Sequence, residues 1–220
     1  MRLKAVLFDL DGTLVDSVPG LHQAVDQVLQ ARQGRTCTVD EVRRWVGNGP
    51  RVLMQRALGE NSATEELSAA LTEFEQAYAR TVFNGQLYPG VTEGLTRLRA
   101  AGLHLACLTN KPWPFTLPIL HHLDIADCFA TVICGDQIHK PKPHPESLTL
   151  ACERLEVSIE EAMMVGDSVN DLAPAQELNM PRVAVTYGYH QGEDLTRFRP
   201  DLLADDFTAV VSFALQRQHQ

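Results

Sequence analysis

Lysine and net positive charge are both scarce in this chain. Only four of its 220 residues are lysines, and the net charge is -9 at pH 7 because acidic residues outnumber basic ones. The sequence pI is near 5.3. A surface of this sign repels the phosphate backbone of nucleic acids. We therefore expect no nucleic-acid partner. The lysines are Lys4, Lys111, Lys140 and Lys142.

Paired cysteines and long apolar runs are also absent from the sequence. The five cysteines form no C-x-x-C pair, and their odd number argues against a disulfide framework. No stretch approaches the roughly 20 apolar residues of a membrane-spanning helix, and no signal peptide precedes the first strand-like segment. We therefore expect a cytoplasmic protein with no membrane partner, present as a monomer or a homodimer.

Two carboxylates follow the first apolar run of the chain. Residues 5–8 are typical of a buried strand, and Asp9, Asp11 and Gly12 come directly after them. Asp9 and Asp11 can address one site if the chain stays extended. Two carboxylates about 4 Å apart repel by roughly 4 kcal/mol at an effective dielectric near 20. A bound cation removes that repulsion, and oxygen ligands suit Mg²⁺. For a bare D-x-D pair, the alternative is an acidic turn that opens the next helix.

The following third of the chain has helical periodicity and no strand-like segment. Four helices are predicted, and the patterns Thr38-x-x-Glu41 and Ser62-x-x-Glu65 predict capping boxes at the starts of two of them. A break at Gly47-Asn48-Gly49-Pro50 separates the second helix from the third. We predict that residues 16–83 form a small helical cap domain.

Strands and helices alternate in the remainder of the chain. Repeated βα units of this kind favour a doubly wound parallel sheet, which makes the predicted fold α/β. The predicted core domain comprises residues 1–15 and 84–220, and the helical cap is inserted into it. Apolar runs predict its later strands at residues 103–108, 131–134, 162–165, 182–186 and 200–204.

Polar side chains follow several of the predicted strands. Asp9 and Asp11 follow the first, Thr109-Asn110-Lys111 follows the second, and Gly166-Asp167 follows a later one, while Lys142 lies in a proline-rich loop. Ligands of open α/β sheets bind beyond the carboxyl ends of the strands, where these groups would meet. Alone, each has an ordinary explanation as a turn, a solvated lysine or a helix cap. Together they can hold a phosphoryl group beside a divalent cation.

In this order the motifs resemble those of the haloacid dehalogenase (HAD) superfamily phosphatases. The helical insert is similar to the small α-helical cap of that family, and the resemblance implies a Rossmann-like core. Weaker marks resemble the phosphoglycolate phosphatase branch, namely Val46-Gly47-Asn48-Gly49, Lys142-Pro143-His144-Pro145 and Tyr187-Gly188-Tyr189. The four main motifs are Asp9-x-Asp11-Gly12-Thr13, Thr109-Asn110, Lys142 and Gly166-Asp167-Ser168-x-x-Asp171.

The resemblance also implies a reaction, the hydrolysis of a small phosphorylated metabolite, with 2-phosphoglycolate as the expected substrate. Asp9 is the implied nucleophile, which becomes an aspartyl phosphate. Asp11 is the implied general acid and base, and Lys142 adds positive charge beside the nucleophile. Thr109 and Asn110 are expected to bind the phosphoryl group.

The implied cofactor is Mg²⁺, bound by Asp9, by the main-chain carbonyl of Asp11 and by Asp167. Asp171 is expected to orient neighbouring groups without touching the metal. The predicted core offers no spare cation for a substrate carboxylate, because Lys142 is committed to Asp9. We therefore expect the backbone near Gly49, together with Arg51, to bind the carboxylate when the cap closes. The alternative for Arg51 is a solvated surface arginine.

Three other functions share parts of this inventory. A phosphatase of the same superfamily that acts on a sugar phosphate or an amino-sugar phosphate is the enzymatic alternative. A receiver-type phospho-acceptor module also uses an aspartate cluster, a threonine and a lysine, but such modules are about half this length and lack a helical insert. A dehalogenase is disfavoured because displacement of halide does not need the acid that Asp11 supplies.

Overall fold

The computed structural model describes residues 2–219 of the chain. Two strands open the described part, and four helices follow them. These elements are β1 (Ala5–Phe8), β2 (Val15–Asp16), α1 (Val18–Gln33), α2 (Val39–Trp45), α3 (Pro50–Leu58) and α4 (Thr64–Thr81).

Strands and helices alternate after α4, as the sequence predicted. Among the helices of residues 2–219, none combines the length and the apolarity needed to cross a lipid bilayer. The later elements are β3 (Gln86–Leu87), α5 (Val91–Ala100), β4 (His104–Thr109), α6 (Trp113–His122), β5 (Thr131–Cys134), α7 (Glu146–Leu155), β6 (Ala162–Gly166), α8 (Val169–Glu177), β7 (Arg182–Val185), β8 (Leu202–Ala204) and α9 (Phe207–Gln218).

Six strands form one parallel sheet in the order β5-β4-β1-β6-β7-β8. The chain leaves β1 toward β4 and β5 on one side, then returns to β6 on the other side. Phe8 at the end of β1 lies opposite Cys107 of β4 and Val165 of β6. The carboxyl ends of these three strands are therefore neighbours at the point where the strand order reverses, which is where open α/β sheets bind ligands. The predicted doubly wound α/β fold is confirmed.

Strand β1 is buried on both faces. Its four residues have no solvent exposure. Val6 and Phe8 pack in a core cluster that includes Leu95 of α5, whereas Ala5 and Leu7 pack in another with residues of α7. Burial of each larger apolar side chain stabilises the fold by about 1.5–3 kcal/mol. This two-sided burial explains why the strand is a continuous apolar run and not an alternating one.

The helices α1 to α4 form an insert between two short strands. Strands β2 and β3 pair antiparallel, with Val15 opposite Leu87, so the insert leaves and rejoins the rest of the chain at one place. The sequence did not predict this pair, because two-residue strands are too short to show a period. On α4, Tyr78 stacks on Phe74 with ring centroids 5.5 Å apart and meets Phe115 of α6 at 5.1 Å. These aromatic contacts pack the insert against the part of the chain that follows β4.

Of the two capping boxes predicted for the insert, the first is confirmed. The backbone N–H of Glu41 donates to Thr38 Oγ1 at 3.2 Å, and the Thr38 N–H donates to Glu41 Oε2 at 2.7 Å. The second prediction is wrong. Helix α4 begins at Thr64, and the Ser62 hydroxyl instead donates to the carbonyl of Gly59 at 2.6 Å. That local turn bond competes with capping for a serine that follows the end of α3.

The two positions make a matched pair for a stability measurement. Thr38→Ala removes an acceptor from a helix start, so we expect the free energy of unfolding to fall by about 0.5–2 kcal/mol. Ser62→Ala removes only an exposed turn bond and should change it by less than about 0.5 kcal/mol. Urea denaturation of both variants checks this difference. A loss for Ser62→Ala as large as that for Thr38→Ala would contradict the assignment of the helix start.

Candidate active site

Three buried carboxylates converge at the carboxyl ends of β1 and β6. Asp9 follows β1 directly, Asp167 follows β6, and Asp171 lies in the first turn of α8. Their oxygens approach within 4.8 Å of one another. Burial raises the pKa of Asp9 to about 7, against the lowering effect of a neighbouring lysine. Burial and the charge of Asp9 also raise the pKa of Asp167. Like charges this close need a cation among them.

Lys142 supplies one of the cations. Its ammonium donates to Asp9 Oδ1 at 2.7 Å, to Asp171 Oδ1 at 2.7 Å and to the carbonyl of Leu108 at 2.6 Å. Burial alone would lower the pKa of Lys142, but the charges of Asp171 and Asp9 raise it above its ordinary value. An ammonium has three N–H donors. All three are used, so Lys142 has no donor left for another group.

Asp171 holds Lys142 in place. While Oδ1 accepts from the lysine, Oδ2 accepts from the backbone N–H of Ser168 at 3.2 Å and from its hydroxyl at 2.9 Å. The contact from the Ser168 N–H is also part of a capping box at the start of α8, which begins at Val169. Both oxygens are thus engaged by protein groups. This geometry suits the orienting role that the sequence led us to expect for Asp171.

Asp167 is packed against two glycines. A Cβ on Gly188 would lie 2.3 Å from Asp167 Cβ, and a Cβ on Gly12 would lie 2.2 Å from Asp167 Oδ2. Gly12 also has a φ of +97°, which disfavours other residues. The Thr13 hydroxyl donates to Asp167 Oδ1 at 3.3 Å, and the backbone N–H of Tyr189 donates to Oδ2. The loop after β7 therefore helps to orient this carboxylate.

Asp11 has a separate cationic partner. Lys111 Nζ lies 2.8 Å from Asp11 Oδ2 and donates to the Tyr78 hydroxyl at 3.1 Å. Among the residues that the structure describes, no group hydrogen-bonds the buried Asp11 Oδ1. Asp9 and Asp11 are therefore each paired with a different lysine, and one oxygen of Asp11 remains available to a ligand.

The insert and the sheet enclose a cavity over these groups. It contains about 640 Å³ of empty space, its open mouth included. Four carboxylates and two ammonium groups line it, which gives these groups a net formal charge of -2. From the insert it is lined mainly by apolar groups and glycines. These are Leu21, Val46, Gly47, Gly49, Pro50, Leu53, Phe74 and Tyr78.

A turn of the insert is hydrogen-bonded directly to residues that follow β4 and β6. The carbonyl of Gly47 accepts from Asn110 Nδ2 at 3.0 Å and from Asn170 Nδ2 at 3.1 Å. Asn48 Nδ2 in turn donates to Asn170 Oδ1 at 3.0 Å. The second amide hydrogen of Asn110 goes to the carbonyl of Lys142 at 2.8 Å. Asn110 thus joins the insert turn to the loop that carries Lys142.

Comparison with known proteins agrees with this geometry. The family model of the haloacid dehalogenase-like hydrolases matches residues 3–179, which is most of the chain. This chain belongs to that family.

Relatives of this hydrolase are similar over nearly their whole length. A phosphoglycolate phosphatase from Salmonella paratyphi A is 41% identical, over 96% of this chain and 92% of its own. One from Psychrobacter arcticus is 39% identical, over 98% and 97% of the two chains. The crystal structure of a predicted phosphoglycolate phosphatase from Haemophilus somnus has a TM-score of 0.92 and 32% identity, over 97% and 98%.

The structure of the hydrolase places most of the predicted site residues together. Residues of the first, second and fourth motifs line the cavity, together with the loop lysine and Gly49. Arg51 is the exception, because it is exposed on α3 and is not among the lining residues. The lining members of the predicted set are Asp9, Asp11, Gly49, Thr109, Asn110, Lys142 and Asp167.

The core of the hydrolase contains a second buried cation, which the expectation of no spare cation for a substrate carboxylate did not take into account. Lys111 is 7% exposed and lies on the cavity wall, although only Thr109 and Asn110 of its tripeptide were predicted to bind. A signal was available, since Lys111 is one of four lysines and directly follows a strand at the predicted site. Asn170 and Tyr78 were not predicted either. Their contacts depend on which parts of the chain fold together.

Two glycines of the hydrolase provide a test of how Asp167 is oriented. Gly188→Ala forces Asp167, the predicted Mg²⁺ ligand, to move, and we expect Mg²⁺ affinity to fall by about 10- to 100-fold if that prediction holds. The rise of Tm with Mg²⁺ concentration measures that affinity.

Gly94→Ala is the matched control for this change. A Cβ at Gly94 would lie 2.5 Å from the ring of Phe207, away from the carboxylates. Such overpacking should lower stability by about 1–3 kcal/mol and leave the Mg²⁺ titration unchanged. An unaltered titration for Gly188→Ala would show that packing on Asp167 does not set the affinity for the metal.

Proposed function

We propose that this protein is a Mg²⁺-dependent phosphatase that hydrolyses 2-phosphoglycolate to glycolate and phosphate. The observation that carries the proposal is the pairing of Asp9 with Lys142, and of Asp11 with Lys111, in one enclosed cavity. Relatives that bear the name phosphoglycolate phosphatase, over nearly the full chain, support the choice of substrate. The enzyme would act in the cytoplasm, where the five free cysteines stay reduced.

Asp9 is the nucleophile in this proposal. Its carboxylate attacks phosphorus, the ester oxygen leaves, and an aspartyl phosphate forms, which water then hydrolyses. The hydrogen bond from Lys142 to Oδ1 favours the ionised carboxylate and fixes its orientation. Because Asp171 and the Leu108 carbonyl hold the same ammonium, Asp9 is positioned by a lysine that itself has little freedom.

Asp11 is the general acid and base. Its Oδ2 is held by Lys111, whereas Oδ1 is available to protonate the leaving oxygen and later to accept a proton from water. The two oxygens of Asp11 thus have separate roles, because Lys111 holds Oδ2 and leaves Oδ1 for proton transfer. The Thr109 hydroxyl oxygen accepts from the backbone N–H of Lys111 at 3.1 Å, so its own proton can be donated to a phosphoryl oxygen.

Asn110 has a positioning role in this scheme. Both of its amide hydrogens are spent on the carbonyls of Gly47 and Lys142. It therefore fastens the insert turn over the cavity. We propose that the predicted cap, residues 16–83, acts through this turn to exclude bulk water from the cavity while Asp9 attacks phosphorus.

The carboxylates fit a divalent cation. Asp9 and Asp167, with the main-chain carbonyl of Asp11, would hold Mg²⁺, and the excess of two negative charges in the cavity matches its charge. Bound there, Mg²⁺ would lower the repulsion between the nucleophile and the anionic phosphoryl group.

A phosphorylated sugar fits the cavity less well. The wall that the insert contributes includes Leu53, Phe74 and Pro50, which offer no side-chain donors or acceptors to sugar hydroxyls. Buried hydroxyls without partners cost about 1–3 kcal/mol each. A short substrate whose polar groups are all anionic avoids that cost.

Phosphate release from a panel of esters tests the proposed function. We expect kcat/KM for 2-phosphoglycolate to exceed those for glucose 6-phosphate and an amino-sugar phosphate. Asp9→Asn keeps the shape of the side chain but not the nucleophile, so its turnover should fall to background while its circular dichroism and Tm show a folded protein. Substantial turnover by Asp9→Asn, or a sugar phosphate as the best substrate, would refute the proposal.

Asp11→Asn separates proton transfer from attack. General acid–base catalysis contributes about 10²- to 10⁴-fold, so hydrolysis of an alkyl phosphate should slow by that factor. An activated aryl phosphate leaves without a proton, and the burst that reports formation of the aspartyl phosphate should slow far less. Equal losses for the two leaving groups would remove Asp11 from the role of acid.

A further inference from the structure

The two buried lysines of the cavity differ in how many donors they use. Lys142 spends its three N–H groups on three oxygens. Within residues 2–219, the Lys111 ammonium has two oxygen partners, Asp11 and Tyr78. One N–H donor of Lys111 is therefore available to a ligand, although the side chain is almost completely buried on the cavity wall.

The position of Lys111 is set by Asp11. In the proposed reaction the ester oxygen lies within about 2.6–3.2 Å of the acid that protonates it. In 2-phosphoglycolate a single methylene separates that oxygen from the carboxylate. Lys111 Nζ lies 2.8 Å from the other oxygen of Asp11. The carboxylate of so short a substrate therefore falls beside the lysine when its ester oxygen is beside Asp11.

The surroundings of Lys111 strengthen such a contact. Its ammonium lies 4.9 Å from the ring centroid of Tyr78, and the rings of Phe74 and Phe115 also line the cavity. Aromatic walls exclude water, and hydrogen bonds between charged groups are stronger where water is excluded. Arg51 offers no such environment, because it is exposed outside the cavity.

We propose that Lys111 is the specificity-determining residue that binds the substrate carboxylate, an inference that rests on the proposed function. Lys142 orients the nucleophile, and Lys111 selects phosphorylated acids by donating its remaining N–H to the carboxylate. Tyr78 and Asp11 hold the ammonium in place for this contact. The selectivity thus comes from a core residue whose position is completed by a hydroxyl of the insert.

Binding of two unreactive phosphonates to the Mg²⁺-loaded enzyme tests this role. In 3-phosphonopropionate a methylene replaces the ester oxygen of 2-phosphoglycolate, and propylphosphonate has a methyl group in place of the carboxylate. We expect the wild type to bind the acid on the order of 10- to 100-fold more tightly, as measured by calorimetry. In Lys111→Met that ratio should fall to about one.

Two further variants keep the result interpretable. Lys111→Gln retains N–H donors for Asp11 but no charge, so it should show an intermediate ratio even if Lys111→Met does not fold. Arg51→Met, the matched control, should keep the wild-type ratio. A lysine that only supported the fold or Asp11 would weaken both ligands equally and leave the ratio unchanged.

The outcomes separate this inference from the proposed function. A wild-type ratio near one, or a ratio that survives both Lys111 substitutions, overturns the role of Lys111. Loss of the ratio in Arg51→Met alone also overturns it. If the ratio depends on Lys111 while 2-phosphoglycolate turns over poorly, Lys111 still selects an acid, and the substrate is a different phosphorylated acid.

Discussion

The pairing of buried carboxylates with two lysines is the interaction on which the rest of this structure depends. Four aspartates face one cavity, and without cations their repulsion and desolvation would oppose folding. Lys142 and Lys111 compensate part of that charge, and each holds one of the two aspartates that follow β1. The uncompensated remainder is a net formal charge of -2, which suits the divalent cation that we propose. Stability and function are therefore coupled through the same charges.

The sheet makes this concentration of charge possible. β1 lies between β4 and β6, so the residues that follow these strands meet although they are far apart in the sequence. Glycines then allow the chain to approach the carboxylates closely, as Gly12 and Gly188 do against Asp167. Larger residues at these two loop positions would push the carboxylates apart and disrupt the site. Close backbone packing is thus as necessary to the chemistry as the charged groups are.

The insert contributes to the site through contacts of a different kind. Its turn is bonded by Asn110 and Asn170 at Gly47, and its helix α4 brings Tyr78 to Lys111. Asn110 also donates to the carbonyl of Lys142, so one amide contacts both the insert and the loop that carries Lys142. Movement of the insert would alter both the enclosure of the cavity and the partners of Lys111. A few side chains thus link the enclosure of the cavity to the selectivity that we propose for Lys111.

The sequence by itself determined the fold class and the principal strands of the sheet, because these depend on local periodicity. It also determined the acidic, hydroxyl and ammonium groups of the site, because these groups follow the strands. It also determined the helix start at Thr38, whose cap is made within four residues. Only the tertiary structure decided that Lys111 pairs with Asp11, that Arg51 is exposed outside the cavity, and that Lys111 retains a donor there. The partners of these side chains lie far away in sequence, so packing of the insert on the sheet selects them and no local pattern records the choice.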